Sequence, residues 1–293
     1  MKLGRVVELF KENVKYFQCP ICQEQMTVTE SGSIVCTNNH CFDLSSKGYV
    51  NFLTSGINRN NKYDRKLFEE RAKVFESGFY DRILDEIKDI VDKHFASHAE
   101  DDYNILDAGC GEGYYASKIS SSNLKYNVFA LDNVKEAITL APKSVPGTKW
   151  IVSDLTNIPF KSHSIDIILN ILAPANYKEF KRLLKRGGLL IKIIPGNSYL
   201  EELRECVSEQ LINKKYDNNA TYEHFSSNMK IFDIRNIKYT LPISEDILNS
   251  FLHMTPMTFN VDLNSINTGG INTITIDLQI MSGYLPDDLY SSL

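Results

Sequence analysis

The chain has 293 residues, 43% hydrophobic and 24% charged, which is enough for a large core and a second small unit and excludes wholesale disorder. Its net charge of -5 argues against a protein that grips nucleic acid with its whole surface. The charge is uneven, however: 11 Lys and Arg face 8 Asp and Glu from Met1 to Lys73, so the front is mildly basic and the rest acidic. No stretch is long and apolar enough to read as a membrane span. The N-terminus lacks the apolar core and cleavage site of a signal peptide. The six cysteines show no disulfide-framework spacing, so a reducing cytoplasm is expected.

Residues 1–10 read as a short amphipathic helix. Cys19-Pro-Ile-Cys22 follows as a knuckle that presents two thiolates on a tight turn. After a hairpin-like stretch, Met26 to Thr29 and Ser33 to Val35, a second half-site appears at Cys36 and His40. Three thiolates and one imidazole at this spacing suit a closed structural zinc site, with Cys41 as the rival to His40 for the fourth position. A saturated site leaves no position for a reactant, so metal catalysis is not expected. The stretch Cys41 to Leu53 offers Phe42, Lys47, Tyr49, Asn51 and Phe52, which either contact unpaired bases or close the small module hydrophobically. Arg59, Lys62, Arg65, Lys66, Arg71 and Lys73 form a basic link, read either as phosphate contacts or as a solvated linker. Tyr80 to Phe95 continues as an amphipathic helix. The expected organisation is 1–56 for the helix and zinc module, 57–100 for the linker and helices, and 101–293 for the catalytic domain.

From residue 105 strands and helices alternate, the pattern of a parallel sheet in an α/β fold. Strands are expected at Ile105-Leu106, Val128 to Leu131, Trp150 to Val152, Ile165 to Leu169 and Leu189 to Ile194. The first ends in Asp107-Ala-Gly109-Cys-Gly111-Glu112-Gly113-Tyr114-Tyr115, a Gly-rich turn that lets backbone approach a ligand. Asp107 would repel a pyrophosphate there, so S-adenosylmethionine suits the turn better than a dinucleotide. Asp132 ends the second strand, where it can accept both ribose hydroxyls. Asp154 can accept the adenine amino group, and Asp107 and Glu112 can orient the methionine ammonium. The segment Asn170 to Pro174 ends the fourth strand on the acceptor side. Further on, Asn176 to Leu184 reads as a helix, Lys185 to Gly188 as its terminating turn, Tyr199 to Leu211 as a helix and Lys214 to Thr221 as a polar loop. Ile231 to Leu241 and Ile271 to Ile280 read as an antiparallel closing pair. Ser244 to Leu252 reads as a capped helix. The apolar loop His253 to Phe259 either walls the acceptor pocket or packs in the core.

Together these residues resemble the bacterial 23S ribosomal RNA (guanine-N1)-methyltransferases, a family that includes macrolide-resistance members. The likeness runs through Cys19-Pro-x-Cys22, Cys36, His40, Lys47-Gly-Tyr-Val-Asn51, Asp64, the Arg71 region, Gly78-x-Tyr80, the Gly turn, Leu172-Ala-Pro174 and Met254-Thr-Pro256. It implies a class I S-adenosylmethionine-dependent (Rossmann-like) methyltransferase with a small zinc module that reads a ribosomal RNA hairpin. It also implies a homodimer, with no DNA or membrane partner. Asp107, Gly109, Gly111, Glu112, Gly113, Tyr114, Asp132 and Asp154 would serve the cofactor; Asn170, Leu172 and Pro174 would line the acceptor side. The chain departs from the family in its residues ahead of the knuckle, in Asn170, where a charged residue can occur, and in Ala175. A transfer RNA methyltransferase and an RNA-binding protein with a degenerate cofactor fold are the alternatives. No side chain is marked by the sequence as the base for the guanine N1 proton.

Overall fold

A computed structural model describes residues 2–54, 63–96, 102–141, 147–208, 218–263 and 266–286. Helix α1 (Leu3–Lys11) buries Val6, Val7 and Phe10 on one face, as its sequence period requires. A three-stranded antiparallel ribbon follows, made of β1 (Met26–Val28), β2 (Ser33–Cys36) and β3 (Cys41–Asp43). The next strand, β4 (Tyr49–Asn51), leaves the ribbon and pairs in parallel with β7 (Lys149–Val152). It thereby becomes an edge of the main sheet, so the small module and the catalytic domain share a strand.

The main sheet is completed by β5 (Tyr103–Ala108), β6 (Tyr126–Asp132), β8 (Ile165–Ile171), β9 (Leu184–Pro195), β10 (Lys230–Pro242) and β11 (Thr273–Tyr284). Its order is β10-β11-β9-β8-β5-β6-β7-β4; β11 runs antiparallel to both its neighbours, β10 and β9, and every other pair is parallel. The chain runs outward from β5 in one direction and from β8 in the other. The crevice between their C-terminal ends is therefore the switch point where such sheets bind ligands.

Each face of the sheet has its own core. On one side α2 (Arg65–Glu76), α3 (Asp81–Ala96), α4 (Tyr114–Ser120), α5 (Lys135–Leu140) and α9 (Glu245–Met254) join the core that holds Ile105, Val128 and Ile191. On the other, α1 and the ribbon join α6 (Tyr177–Leu183) over Leu106, Phe129 and Ile151. Phe17 bridges the two parts: its ring lies 4.5 Å from that of Phe160, and its backbone pairs with Phe160. The ribbon is thus docked on the sheet rather than tethered to it.

Three local expectations differ from the structure. Lys185 to Gly188 is not a turn but the irregular start of β9, with a register shift opposite Ile165–Ile167. The helix expected from Tyr199 is shorter, α7 (Glu201–Cys206). The polar loop at 214–221 lies outside the described residues up to 217; from Asn219 it is helix α8 (Asn219–Asn228), whose weak amphipathicity left little periodic signal. Arg59 and Lys62 also lie outside the described residues.

Candidate active site

The zinc residues converge. Ligand atoms of Cys19, Cys22, Cys36 and His40 all lie within 4.8 Å of one another. His40 Nδ1 is 3.5 Å from Cys19 Sγ and 3.4 Å from Cys36 Sγ, and Cys22 Sγ is 3.7 Å from Cys36 Sγ. These separations are those of donors on a tetrahedron around one ion, and three thiolates with one imidazole fit zinc. The backbone N–H of His40 donates to Cys36 Sγ at 3.3 Å, the kind of contact that stabilises a metal-bound thiolate. Cys41, the rival ligand, is exposed, and its Sγ lies 3.9 Å from Asp43 Oδ1 instead.

A cleft of about 2350 Å³ opens at the switch point. Asp107, Gly109, Glu112, Tyr114, Asp132, Asp154, Leu172 and Pro174 all line it, as do Met254 to Met257 from the apolar segment. Gly111 and Gly113 shape the turn from beneath. Both have positive φ, 56° and 81°. A Cβ on Gly111 would fall 1.4 Å from an Arg71 guanidinium nitrogen, and one on Gly113 would strike the Trp150 ring at 2.3 Å. At Gly113 the indole leaves no room for a side chain, while at Gly111 one would have to displace the Arg71 guanidinium in a left-handed backbone conformation that favours glycine.

The carboxylates divide by environment. Asp132 accepts from the Gly111 and Val134 amides, each at 2.8 Å, so it locks the turn to the end of β6 while facing the cleft. Asp154 accepts from the Thr156 amide at 2.9 Å. Glu112 is buried and accepts from Arg71 Nε at 2.6 Å. Asp107 is 1% exposed; burial, aided by the charge of Asp132, pushes its carboxyl up to about 7. Asp107 Oδ2 and Glu112 Oε1 are buried without a hydrogen-bond partner among the described residues. Two orphaned acid oxygens beside a cleft call for a cation and repel a pyrophosphate. S-adenosylmethionine, with its ammonium and sulfonium, fits this donor set. Tyr114 adds a wall: its ring stacks on Phe75 at 4.7 Å and its hydroxyl donates to Asp81 at 2.6 Å.

Replacing Asp132 with alanine removes two charge-assisted hydrogen bonds from the turn as well as the ribose acceptor. Since such bonds contribute roughly 1.5–3 kcal/mol each, cofactor affinity measured by calorimetry is expected to fall by at least about 10-fold. Unchanged affinity would refute the ribose assignment.

The acceptor side differs from the sequence expectation at one residue. Leu172 and Pro174 line the cleft, but Asn170 is fully buried behind it. Its Nδ2 donates to the carbonyls of Ala108 at 2.8 Å and Pro174 at 3.0 Å, and its Oδ1 accepts from Lys192 Nζ at 2.6 Å. Bracing consumes its amide, so it shapes the wall without forming it. Leu172 adopts φ 49° and remains 39% exposed, so this strained residue presents its side chain at the wall.

The basic link also resolves differently. Arg65 pairs with Glu69 at 2.7 Å, Lys73 with Glu70 at 3.0 Å, and Arg71 turns inward to Glu112. Of the described members, three are thus engaged within the chain. Sequence reasoning missed the Tyr80–Tyr199 hydroxyl pair at 2.6 Å in the cleft, and it missed Lys192. A lone lysine in Leu189-Leu-Ile-Lys192-Ile-Ile194 was the available signal.

Residues 17–55 match a zinc-ribbon family model described as "RlmA, N-terminal", and residues 106–192 match a model described as a methyltransferase domain. A protein of Bacillus subtilis (strain 168) named "Putative 23S rRNA (guanine-N(1)-)-methyltransferase YxjB" is 32% identical over 275 residues, spanning 91% of this chain and 96% of its own. The 23S rRNA (guanine(748)-N(1))-methyltransferase of Streptomyces fradiae is 23% identical over 277 residues, spanning 92% of this chain and 96% of its own. With the ribbon and the cofactor fold both matched, and the likeness extending along nearly the whole chain, this protein belongs to the family of 23S rRNA (guanine-N1)-methyltransferases.

Proposed function

We propose that the protein transfers a methyl group from S-adenosylmethionine to N1 of a guanine in a 23S ribosomal RNA hairpin. The observation that carries this reading is the full-length likeness to relatives bearing that name, ribbon included. Bound S-adenosylmethionine supplies an electrophilic methyl group; Asp107, Asp132 and Asp154 hold its polar ends, and Leu172 and Pro174 border the acceptor. In-line displacement at such a methyl depends chiefly on holding the acceptor atom close and aligned.

The placement of the zinc ribbon supports an RNA substrate. Asn157 Nδ2 donates to the Pro20 carbonyl at 2.8 Å, tying the knuckle to the loop that follows Asp154 at the cleft. Ile21, at the knuckle tip, is exposed, and an apolar side chain there suits contact with an unstacked base. A homodimer that frames the hairpin, a cytoplasmic location and the absence of DNA or membrane partners belong to the same reading. No helix among the described residues is long and apolar enough to cross a membrane.

The test is incubation with methyl-labelled S-adenosylmethionine and, in parallel, undermethylated 23S ribosomal RNA and undermethylated transfer RNA, each followed by digestion to nucleosides. Label in 1-methylguanosine at one hairpin is the expected result. Label in transfer RNA alone, or in another nucleoside, would overturn the reading.

A further inference from the structure

Strand β9 alternates as a doubly buried strand should. Leu189, Ile191 and Ile193 pack into one core, and Leu190 and Ile194 into the other. Lys192 occupies the second face, where a third apolar residue is expected, and is 4% exposed at the floor of the cleft. A buried ammonium is costly unless paired. The two neighbours that Nζ meets are both neutral: Asn170 Oδ1 at 2.6 Å and the Ala173 carbonyl at 2.5 Å.

Those two acceptors suffice for the neutral amine, whereas the ammonium needs the open cleft to take its third N–H. An ammonium has three donors and would leave one N–H without an acceptor among the described residues. A neutral amine has two donors and a lone pair, so the two acceptors satisfy it completely and leave the lone pair in the remaining tetrahedral direction. We propose that Lys192 is the general base that takes the N1 proton of the acceptor guanine, an inference that rests on the reaction proposed above. Burial alone pushes the amine down to about 8, which places it near the operating pH. Many titratable groups line the cleft besides Lys192, among them Asp107 at the end of β5, Glu112 in the Gly turn, Asp132 at the end of β6, Tyr177 at the start of α6, Tyr199 ahead of α7 and His224 on α8. None of these hydrogen-bonds Nζ. Burial raises Tyr177 to about 12, which makes its phenol an unsuitable acceptor of the proton at neutral pH.

The step balances. The guanine N1–H bond breaks and its proton passes to the Nζ lone pair. The N1 electron pair forms the bond to the methyl carbon as the carbon–sulfur bond breaks, with that pair going to sulfur. The products are 1-methylguanine, neutral S-adenosylhomocysteine and the Lys192 ammonium, which returns its proton to water after release. The same amine holds Asn170 and Ala173, so the base and the acceptor loop are fixed to each other.

The test uses the full-length wild type with Lys192→Met and Lys192→Arg, at saturating cofactor and RNA. Wild type should show kcat rising with pH through an apparent pKa near 8, and a 15N NMR titration of the lysine side chains should show a group titrating there that is missing from Lys192→Met, apart from Lys149, which burial also pushes down to about 8. Lys192→Met should lose about 100-fold in kcat, the lower end for a lost general base, and should lose the pH limb, while its cofactor Kd stays within about 2-fold. Lys192→Arg keeps donors for Asn170 and Ala173 but cannot lose a proton at these pH values, so it should remain as slow as the methionine variant. Recovery of kcat by arginine would assign a bracing role and overturn the proposal, as would a methionine variant with kcat within about 3-fold of wild type. A wild type that forms no 1-methylguanosine would instead overturn the reaction on which the proposal rests.

Discussion

Replacing Cys22 with serine is expected to empty the zinc site and to melt the whole chain earlier, not the ribbon alone. A structural zinc in a small module contributes on the order of 10 kcal/mol of apparent binding free energy, and the ribbon has few other means of holding β1 to β3 together. Cys22 is the apt position because it is only partly buried, whereas Cys19 and Cys36 are core residues whose loss would confound ligation with packing. The effect spreads because the ribbon is continuous with the catalytic core. Met26, Ile34 and Phe42 pack in one cluster with Leu106, Phe129 and Phe160, and β4 leaves the ribbon to pair with β7. With the site empty, if about a third of the zinc contribution is felt in the cooperative unfolding of the whole chain, then at roughly 2–4 °C per kcal/mol Tm falls by about 10 °C. Zinc content by mass spectrometry should drop from one per chain toward zero, while Cys41→Ser should retain full zinc. A Cys22→Ser protein that still holds one zinc would remove Cys22 from the ligand set.

The same continuity explains what could be read from the sequence. The Gly turn, Asp132 and the two zinc half-sites were legible because each is a local pattern: positive-φ glycines, a strand-ending acid and paired ligands at fixed spacing. The five parallel strands from β5 to β9 were legible because doubly buried strands read as apolar runs. Long-range facts were not legible. Nothing local in Tyr49-Val-Asn51 says that it joins the far edge of the sheet, and Arg71 looks like part of a basic linker until Glu112, distant in sequence, meets it. Asn170 was correctly placed at the end of a strand, but whether its amide faces the cleft or the wall depends on Lys192 of the next strand. Composition signals that a side chain is polar; only the fold decides which partners consume it.

Cofactor affinity is expected to depend on pH through Asp107, with a sign fixed by its environment. Burial, and then the charge of Asp132, hold this carboxyl at about 7 in the free protein. A carboxyl raised above its unfolded value of about 4 binds its proton more tightly when folded. The free protein therefore loses stability as pH rises from about 4 to about 7, and the loss is flat above that. The cofactor reverses the preference, because its ammonium favours the carboxylate. Binding then releases a proton below pH 7, and the affinity should rise by up to about 10-fold per pH unit toward neutrality. It should turn over near pH 8, where an α-amino group of pKa about 7.7–8.0 begins to lose its charge. Asp107→Asn should flatten the acid limb and weaken binding at pH 7 by about 10–100-fold, the worth of one charge-assisted hydrogen bond of roughly 1.5–3 kcal/mol. The same substitution removes a buried acid, so the cofactor-free variant should melt above wild type at pH 8. Calorimetry between pH 5.5 and 8.5 in buffers of differing ionisation enthalpy reads the affinity and the released proton together. A wild-type Kd that does not change between pH 5.5 and 7 would separate Asp107 from the ammonium and leave the orphaned Glu112 oxygen as the acid that receives it.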